Sequence, residues 1–179
     1  KLVECGVPQK RERLIILGIR NDLNITPVLP EFNFPRKGLL DIVEFSMKGA
    51  IKVDENMFED IPTECIVTNM ENTESEDDII HPFLRLKANE RGANYKESKE
   101  WVYSMSFGKR VSPIHCEIVD IRNPSKTIIC TYERQPRLFV PLKNSNGYFL
   151  RPFLPDELKQ IQGFPKNYIL CGKDKEKIV

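Results

Sequence analysis

No apolar run in this sequence approaches the roughly 20 residues that a bilayer-spanning helix requires. The opening Lys-Leu-Val-Glu-Cys has no signal-peptide layout either. A membrane partner is therefore not expected, and a cytoplasmic location is. There is no Cys-x-x-Cys, and the five cysteines (Cys5, Cys65, Cys116, Cys130, Cys171) are odd in number and widely spaced. That pattern argues against a disulfide framework or a structural metal site and predicts reduced thiols, with no metal bound. His115 and Cys116 are adjacent, but neighbours on a strand point to opposite faces and cannot cooperate. His81, before Pro82, gives no further signal. Internal repeats and low-complexity tracts are absent.

What is present is a chain of 179 residues, 40% hydrophobic and 30% charged, enough for one core and a small second one. It begins without Met, inside what reads as a folded unit, as a piece of a larger protein would. The formal net charge of +1 hides an asymmetry. Between Asp54 and Asp78 there are ten acids and no Lys or Arg; between Arg122 and Arg151 there are six bases and one acid, Glu133. One face should repel phosphate and another attract it.

The stretch Cys5-Gly6-Val7-Pro8-Gln9-Lys10-Arg11-Glu12-Arg13 reads as a Gly/Pro turn that delivers the chain into a buried apolar strand over residues 14–19. Arg11 and Arg13, two apart in an extended segment, share a face and suit a planar or anionic ligand. On periodicity alone they also fit two solvated arginines closing an edge strand. Residues 20–34 read as a loop leaving that strand, 38–45 as a turn or two of helix, and 72–78 as a solvated acidic loop. From Trp101 short strands are expected over 101–107, 114–121 and 127–132, an antiparallel signal. Residues 108–113 form a basic turn between the first two, and 133–147 a loop. Near the end, Pro155 to Ile161 has helical spacing, with acids in the first turn and Gly163 as the stop.

Gly-Val-Pro-Gln-x-Arg-x-Arg before an apolar strand resembles the eighth conserved motif of the DNA cytosine-5 methyltransferases. The run from Arg151 to Pro165 (Arg-Pro-Phe-Leu-Pro-Asp-Glu-Leu-Lys-Gln-Ile-Gln-Gly-Phe-Pro) resembles their ninth, in the family's order. Between these motifs the family carries its variable target-recognition region. The resemblance implies that Gln9 and Arg11 stabilise the active-site loop and that Arg13 reaches the flipped cytosine or its acid partner. Thr127, with Ile128, resembles the family's phosphate-holding Thr. Arg151 and Glu157 would tie the ninth-motif helix to the recognition region, while Gln160 stands where the family commonly has Arg. The family's glycine-rich cofactor loop, Pro-Cys-Gln nucleophile and Glu-Asn-Val acid have no counterpart; Glu55-Asn56-Met57 lies on the wrong side of the eighth motif to serve.

The expectation is thus an α+β, mainly antiparallel fold with a few short helices. Residues 1–24 would end a catalytic domain, 25–150 form the recognition domain, and 151–179 begin the return. The function implied is selection of sequence in double-stranded DNA for an enzyme of restriction–modification type. The intact enzyme would use S-adenosylmethionine, and this piece would bind none and catalyse nothing alone. DNA contacts are expected from Lys109, Arg110, Lys126, Thr127, Arg134, Gln135, Arg137 and Lys143, with Lys126 and Lys143 on phosphates and Arg134 and Arg137 on base edges. The catalytic domain would be a partner in cis or as a second subunit. The rival readings are a small subunit of a split methyltransferase and a DNA-binding module with no enzymatic partner.

Overall fold

Thirteen residues form the centre of the protein as two segments, Leu138–Asn144 and Gly147–Pro152, joined only by Ser145 and Asn146. Leu138 to Leu142 and Phe149 to Pro152 are buried without alternation, as expected of strands covered on both faces. They pair antiparallel from Phe139 opposite Pro152 to Asn144 opposite Gly147. The computed structural model describes residues 1–28, 31–74, 106–109, 116–129, 132 and 136–173.

In chain order the strands are β1 (Gln9–Lys10), β2 (Ile51–Val53), β3 (Val67–Thr68), β4 (Ser106–Phe107), β5 (Glu117–Ile118), β6 (Ser125–Lys126), β7 (Leu138–Asn144) and β8 (Gly147–Pro152), followed by helix α1 (Pro155–Ile161). The larger sheet runs β2, β8, β7, β5, β4, with β3 also on β7, and β1 pairs β6 apart from it. With sheets and few short helices the fold is α+β, as expected. The longest pairings, β7 with β8 and β2 with β8, are antiparallel. The two-residue pairings of β3 and β5 with β7, of β4 with β5 and of β1 with β6 are parallel. Pro141, which has no N–H to donate, stands between the part of β7 paired with β5 (Leu138, Phe139) and the part paired with β3 (Leu142, Lys143).

The core is one cluster running from Leu39, Phe58 and Ile61 through Ile118, Phe139, Val140, Leu142, Phe149 and Leu150 to Leu158 and Ile161. Each such side chain withdrawn from water contributes about 1.5–3 kcal/mol before entropy is charged. Helix α1 is stopped by a Schellman arrangement: Phe164 N–H donates to the Lys159 carbonyl at 3.2 Å and Gly163 N–H to the Gln160 carbonyl at 2.9 Å. Gly163 takes φ +95°, and a Cβ there would meet Val7 at 3.2 Å. No helix among the described residues is long and apolar enough to cross a membrane.

Several expectations are corrected. Residues 14–19 form no strand; Leu14 and Ile16 are 86% and 84% exposed, because none of the described residues supplies a neighbouring strand. The segments at 106–107 and 117–118 pair parallel, not antiparallel as expected. Residues 127–129 are not a strand; the pairing falls earlier, at Ser125–Lys126, whose register is set by the Ser125 N–H donating to the Pro8 carbonyl at 2.9 Å. Within the loop expected over 133–147, residues 138–144 are instead β7, whose single proline and polar end disguised a buried apolar run. Residues 38–45 supply a single turn, the shorter of the two lengths expected, closed by Val43 N–H on the Leu39 carbonyl at 2.9 Å. The expected strand over 101–105, His115 and most of the acidic loop lie outside the described residues.

Candidate functional site

The chain's first turn is pinned at several points. A 3-10 turn over Leu2–Cys5 ends on Gly6, which is left-handed at φ +78° and admits Phe34: a Cβ at Gly6 would stand 3.3 Å from Phe34 Cβ. Leu2 N–H donates to the Arg11 carbonyl at 2.9 Å, and Phe34 N–H to the Glu4 carbonyl at 3.3 Å. Strand alternation in β1 then buries Gln9 and exposes Lys10. The ladder to β6 brings Thr127 just past Lys126, where its hydroxyl donates to the Lys10 carbonyl at 3.2 Å.

These connections border an open cavity of about 440 Å³. Four cations, Lys1, Lys10, Arg13 and Arg36, line it against one carboxylate, Glu12, with Val3 and Thr127 completing the wall. Lys1 Nζ stands 3.2 Å from Glu12, and Arg13 Nη1 donates to the Glu12 carbonyl at 2.7 Å. Cations gathered in a concave site with so little opposing charge raise the local potential and concentrate anions.

Of the residues expected from sequence, Arg13 and Thr127 meet at this cavity, and Arg11 is half-buried outside its lining. Gln9 is fully buried and neither atom of its amide has a hydrogen-bond partner among the described residues. Lys126, expected on a phosphate, is turned to an ion pair with the buried Glu117. Lys143 donates to the Tyr148 hydroxyl at 2.8 Å with its ammonium 4.5 Å from that ring's centre, and the hydrogen bond pushes its pKa upward. It too is engaged within the chain. Lys109 is exposed and Arg137 half-buried, and neither lines the cavity. Arg110, Arg134 and Gln135 lie outside the described residues. Asn144 and Asn146 fasten the β7–β8 turn: Asn146 Nδ2 donates to the Thr73 carbonyl at 2.9 Å and Asn144 Nδ2 to the Glu74 carbonyl at 3.3 Å.

Sequence reading missed Lys10 and Arg36 as site residues. Lys10 was legible, since alternation sets it opposite the buried Gln9. Arg36 was not, because it reaches the cavity through the contact of Phe34 with Gly6, which pattern does not reveal.

A second cluster is structural. Cys65, fully buried, donates its thiol to Asp120 Oδ1 at 3.3 Å, and Arg122 grips both Asp120 oxygens at 2.9 Å while reaching Glu64 at 3.0 Å. The Arg122 hydrogen bonds hold the Asp120 carboxyl down at about 2, and burial with the Asp120 contact pushes the Cys65 thiol up to about 11. Cys65 is therefore an inert thiol, not a nucleophile. Among the described residues no group of three or more His, Cys, Asp or Glu is placed to hold a metal ion.

No curated protein and no solved structure matches the chain. A family model, C-5 cytosine-specific DNA methylase, matches residues 2–178. That match spans almost the whole chain and takes in both the Gln-x-Arg-x-Arg stretch at the cavity and the segment containing Arg151 and Glu157, so the chain belongs to the C-5 cytosine-specific DNA methylases.

Proposed function

We propose that this chain is the sequence-selecting part of a DNA cytosine-5 methyltransferase of restriction–modification type, acting in the cytoplasm. Residues 25–150 would form the recognition domain, with 1–24 and 151–179 as its connections to a catalytic domain in cis or in a second subunit. The observation that carries this reading is the cationic cavity where Arg13 and Thr127 meet. A target cytosine must leave the stacked duplex before its ring can react, and an extruded nucleotide brings a phosphate and a planar base together. One amino group of Arg13 is engaged by the Glu12 carbonyl. Its other donors are the groups proposed to meet the base. Arg11 and the unpartnered amide of Gln9 are assigned to holding the active-site loop. Sequence selection itself is assigned to Lys109, Arg110, Arg134, Gln135 and Arg137.

The family transfers the methyl group from S-adenosylmethionine. The cavity does not fit that group, because a sulfonium and an ammonium would face four cations across a site with one carboxylate. No step through the cofactor is assigned to these residues.

The test is an exchange of residues 25–150 between this enzyme and a cytosine-5 methyltransferase of different specificity. Methylation of a randomised DNA library should follow the exchanged segment. Retention of the recipient's original sequence profile by an active chimaera would refute the reading. In the isolated chain, saturable binding of S-adenosylmethionine in calorimetric titration would count equally against it.

A further inference from the structure

The resemblance to the methyltransferases gives the phosphate-holding role to Thr127, yet the Thr127 hydroxyl donates to the Lys10 carbonyl at 3.2 Å. A hydroxyl has one hydrogen, so while that bond stands it cannot also donate to an anion. Of the four cations at the cavity, Lys1 is met by Glu12 at 3.2 Å, and Arg13 has an amino group on the Glu12 carbonyl. Lys10 and Arg36 line the cavity, are exposed, and form no ion pair or side-chain hydrogen bond among the described residues, with Glu4 the one acid on which the Arg36 charge is felt.

Their chemistry is complementary. Lys10 offers a compact point charge with three donors, and Arg36 a planar fork that can take two oxygens of one phosphate. At about 440 Å³ the cavity is of small-ligand size, roomy enough for a phosphate with its attached sugar. The Lys10 backbone is also fixed, by its pairing with Lys126 and by Thr127, so its ammonium is presented from a rigid base.

We infer that Lys10 and Arg36 together hold one phosphodiester of the target strand in this cavity, and that Thr127 is a positioning residue that fixes the Lys10 backbone. This rests on the DNA-binding reading above. Both cations act on one phosphate, so their effects are not additive: either alone keeps part of the neutralisation, and losing both removes one phosphate contact from the counterion balance.

The experiment measures duplex binding by the full enzyme across a salt series, with Lys10→Gln, Arg36→Gln and the double variant. The double variant should flatten log K against log salt by about one unit, on cognate and unrelated duplexes alike. Each single variant should flatten it by less, and Lys10→Arg should restore the parent slope. A neutral methylphosphonate walked along the strand around the target cytosine should flatten the parent's slope, with one position having no further effect in the double variant. Thr127→Val should weaken binding, but add nothing in the Lys10→Gln background. The inference is overturned if the parent shows the ordinary steep slope and the double variant shares it, or if every methylphosphonate position remains additive. An additive Thr127→Val would overturn the positioning role. Displacement of DNA by inorganic phosphate at constant ionic strength, seen in the parent and lost in the double variant, would assign the cavity to a free anion instead. If the parent itself shows no salt-dependent binding to DNA, the underlying reading fails and this inference with it.

Discussion

The guanidinium of Arg151 and the carboxylate of Glu157 meet fork to fork, at 2.8 and 2.6 Å, with Arg151 fully buried and Glu157 nearly so. Further donors and acceptors of both groups are spent on backbone, while the buried Arg151 Nε has no hydrogen-bond partner among the described residues. Arg151 also donates to the carbonyls of Glu44 at 2.6 Å and Pro152 at 2.9 Å, while Glu157 accepts from the N–H groups of Glu44 at 3.2 Å and Leu154 at 2.8 Å. The last strand, the last helix and the chain at residue 44 are thus tied through one pair.

Removing one partner leaves the other charged and buried. Arg151→Met or Glu157→Gln should each destabilise the chain by about 3–5 kcal/mol. The double variant Arg151→Met, Glu157→Met should recover part of that loss but not all, because the backbone groups at residues 44, 152 and 154 would lose their partners too. Urea unfolding of these variants and of Glu157→Met checks this, and a double variant as unstable as the sum of Arg151→Met and Glu157→Met would refute it.

Gly38 is a second brittle point. A Cβ there would lie 2.3 Å from the Arg122 carbonyl oxygen, a backbone atom. Leu39, next in sequence, donates its N–H to the Ile121 carbonyl at 2.8 Å, so the two segments cannot separate without losing that bond. Gly38→Ala should cost roughly 1–3 kcal/mol as overpacking does, read as a lowered midpoint in thermal or urea unfolding. Gly18→Ala, with nothing near it, serves as the matched control and should change little.

Stability should respond to pH from both members of the Cys65–Asp120 contact. The Asp120 pKa is depressed to about 2, so its contribution is complete above the ordinary carboxylate range and is lost as pH falls from about 4 through about 2. The Cys65 pKa is raised to about 11, so its contribution is complete below the ordinary thiol value of about 8.5 and is lost as pH rises through about 11. Asp120→Asn should flatten the acid limb. In a thiol-reagent assay at pH 8, the exposed Cys171 should react at once and Cys65 only on unfolding.

The apolar residues after Arg13 should behave differently in the chain alone and in the complete enzyme. Ile16→Lys removes no packing here, since Ile16 is 84% exposed. Its effect on the isolated chain should stay within about 0.5 kcal/mol. In the complete enzyme, where this run is proposed to join the catalytic domain, the same change should lower the unfolding midpoint and the methylation rate together.

How much of this was legible in the sequence depended on the range of the interactions involved. Helix α1 was readable because its Pro start, apolar spacing and Gly163 stop all act within a few residues. Arg11 and Arg13 were readable as a motif, yet the strand expected after them did not form, since a strand needs neighbours that sequence periodicity does not supply. The strand β7 was misread because Pro141 and Asn144 are loop-favouring types. Their acceptance inside a sheet depends on partners far away, Pro141 at a seam between two short strands and Asn144 bonded to Glu74. Lys126 and Lys143 were classed by charge alone, and only the packed chain discloses that Glu117 and Tyr148 occupy them.

The seam at Pro141 has an evolutionary consequence. The chain leaves the sheet after β3, which pairs β7 on one side of Pro141, and rejoins it at β4, whose partner β5 pairs β7 on the other side. Beyond Glu74, the last described intervening residue bonded to the β7–β8 turn, a change of length leaves that ladder and α1 with their own pairings, and each doubling of such a connection costs only about 0.6 kcal/mol in closure entropy. Descendants could therefore exchange that stretch wholesale, acquiring new surface without having to rediscover the fold that displays it.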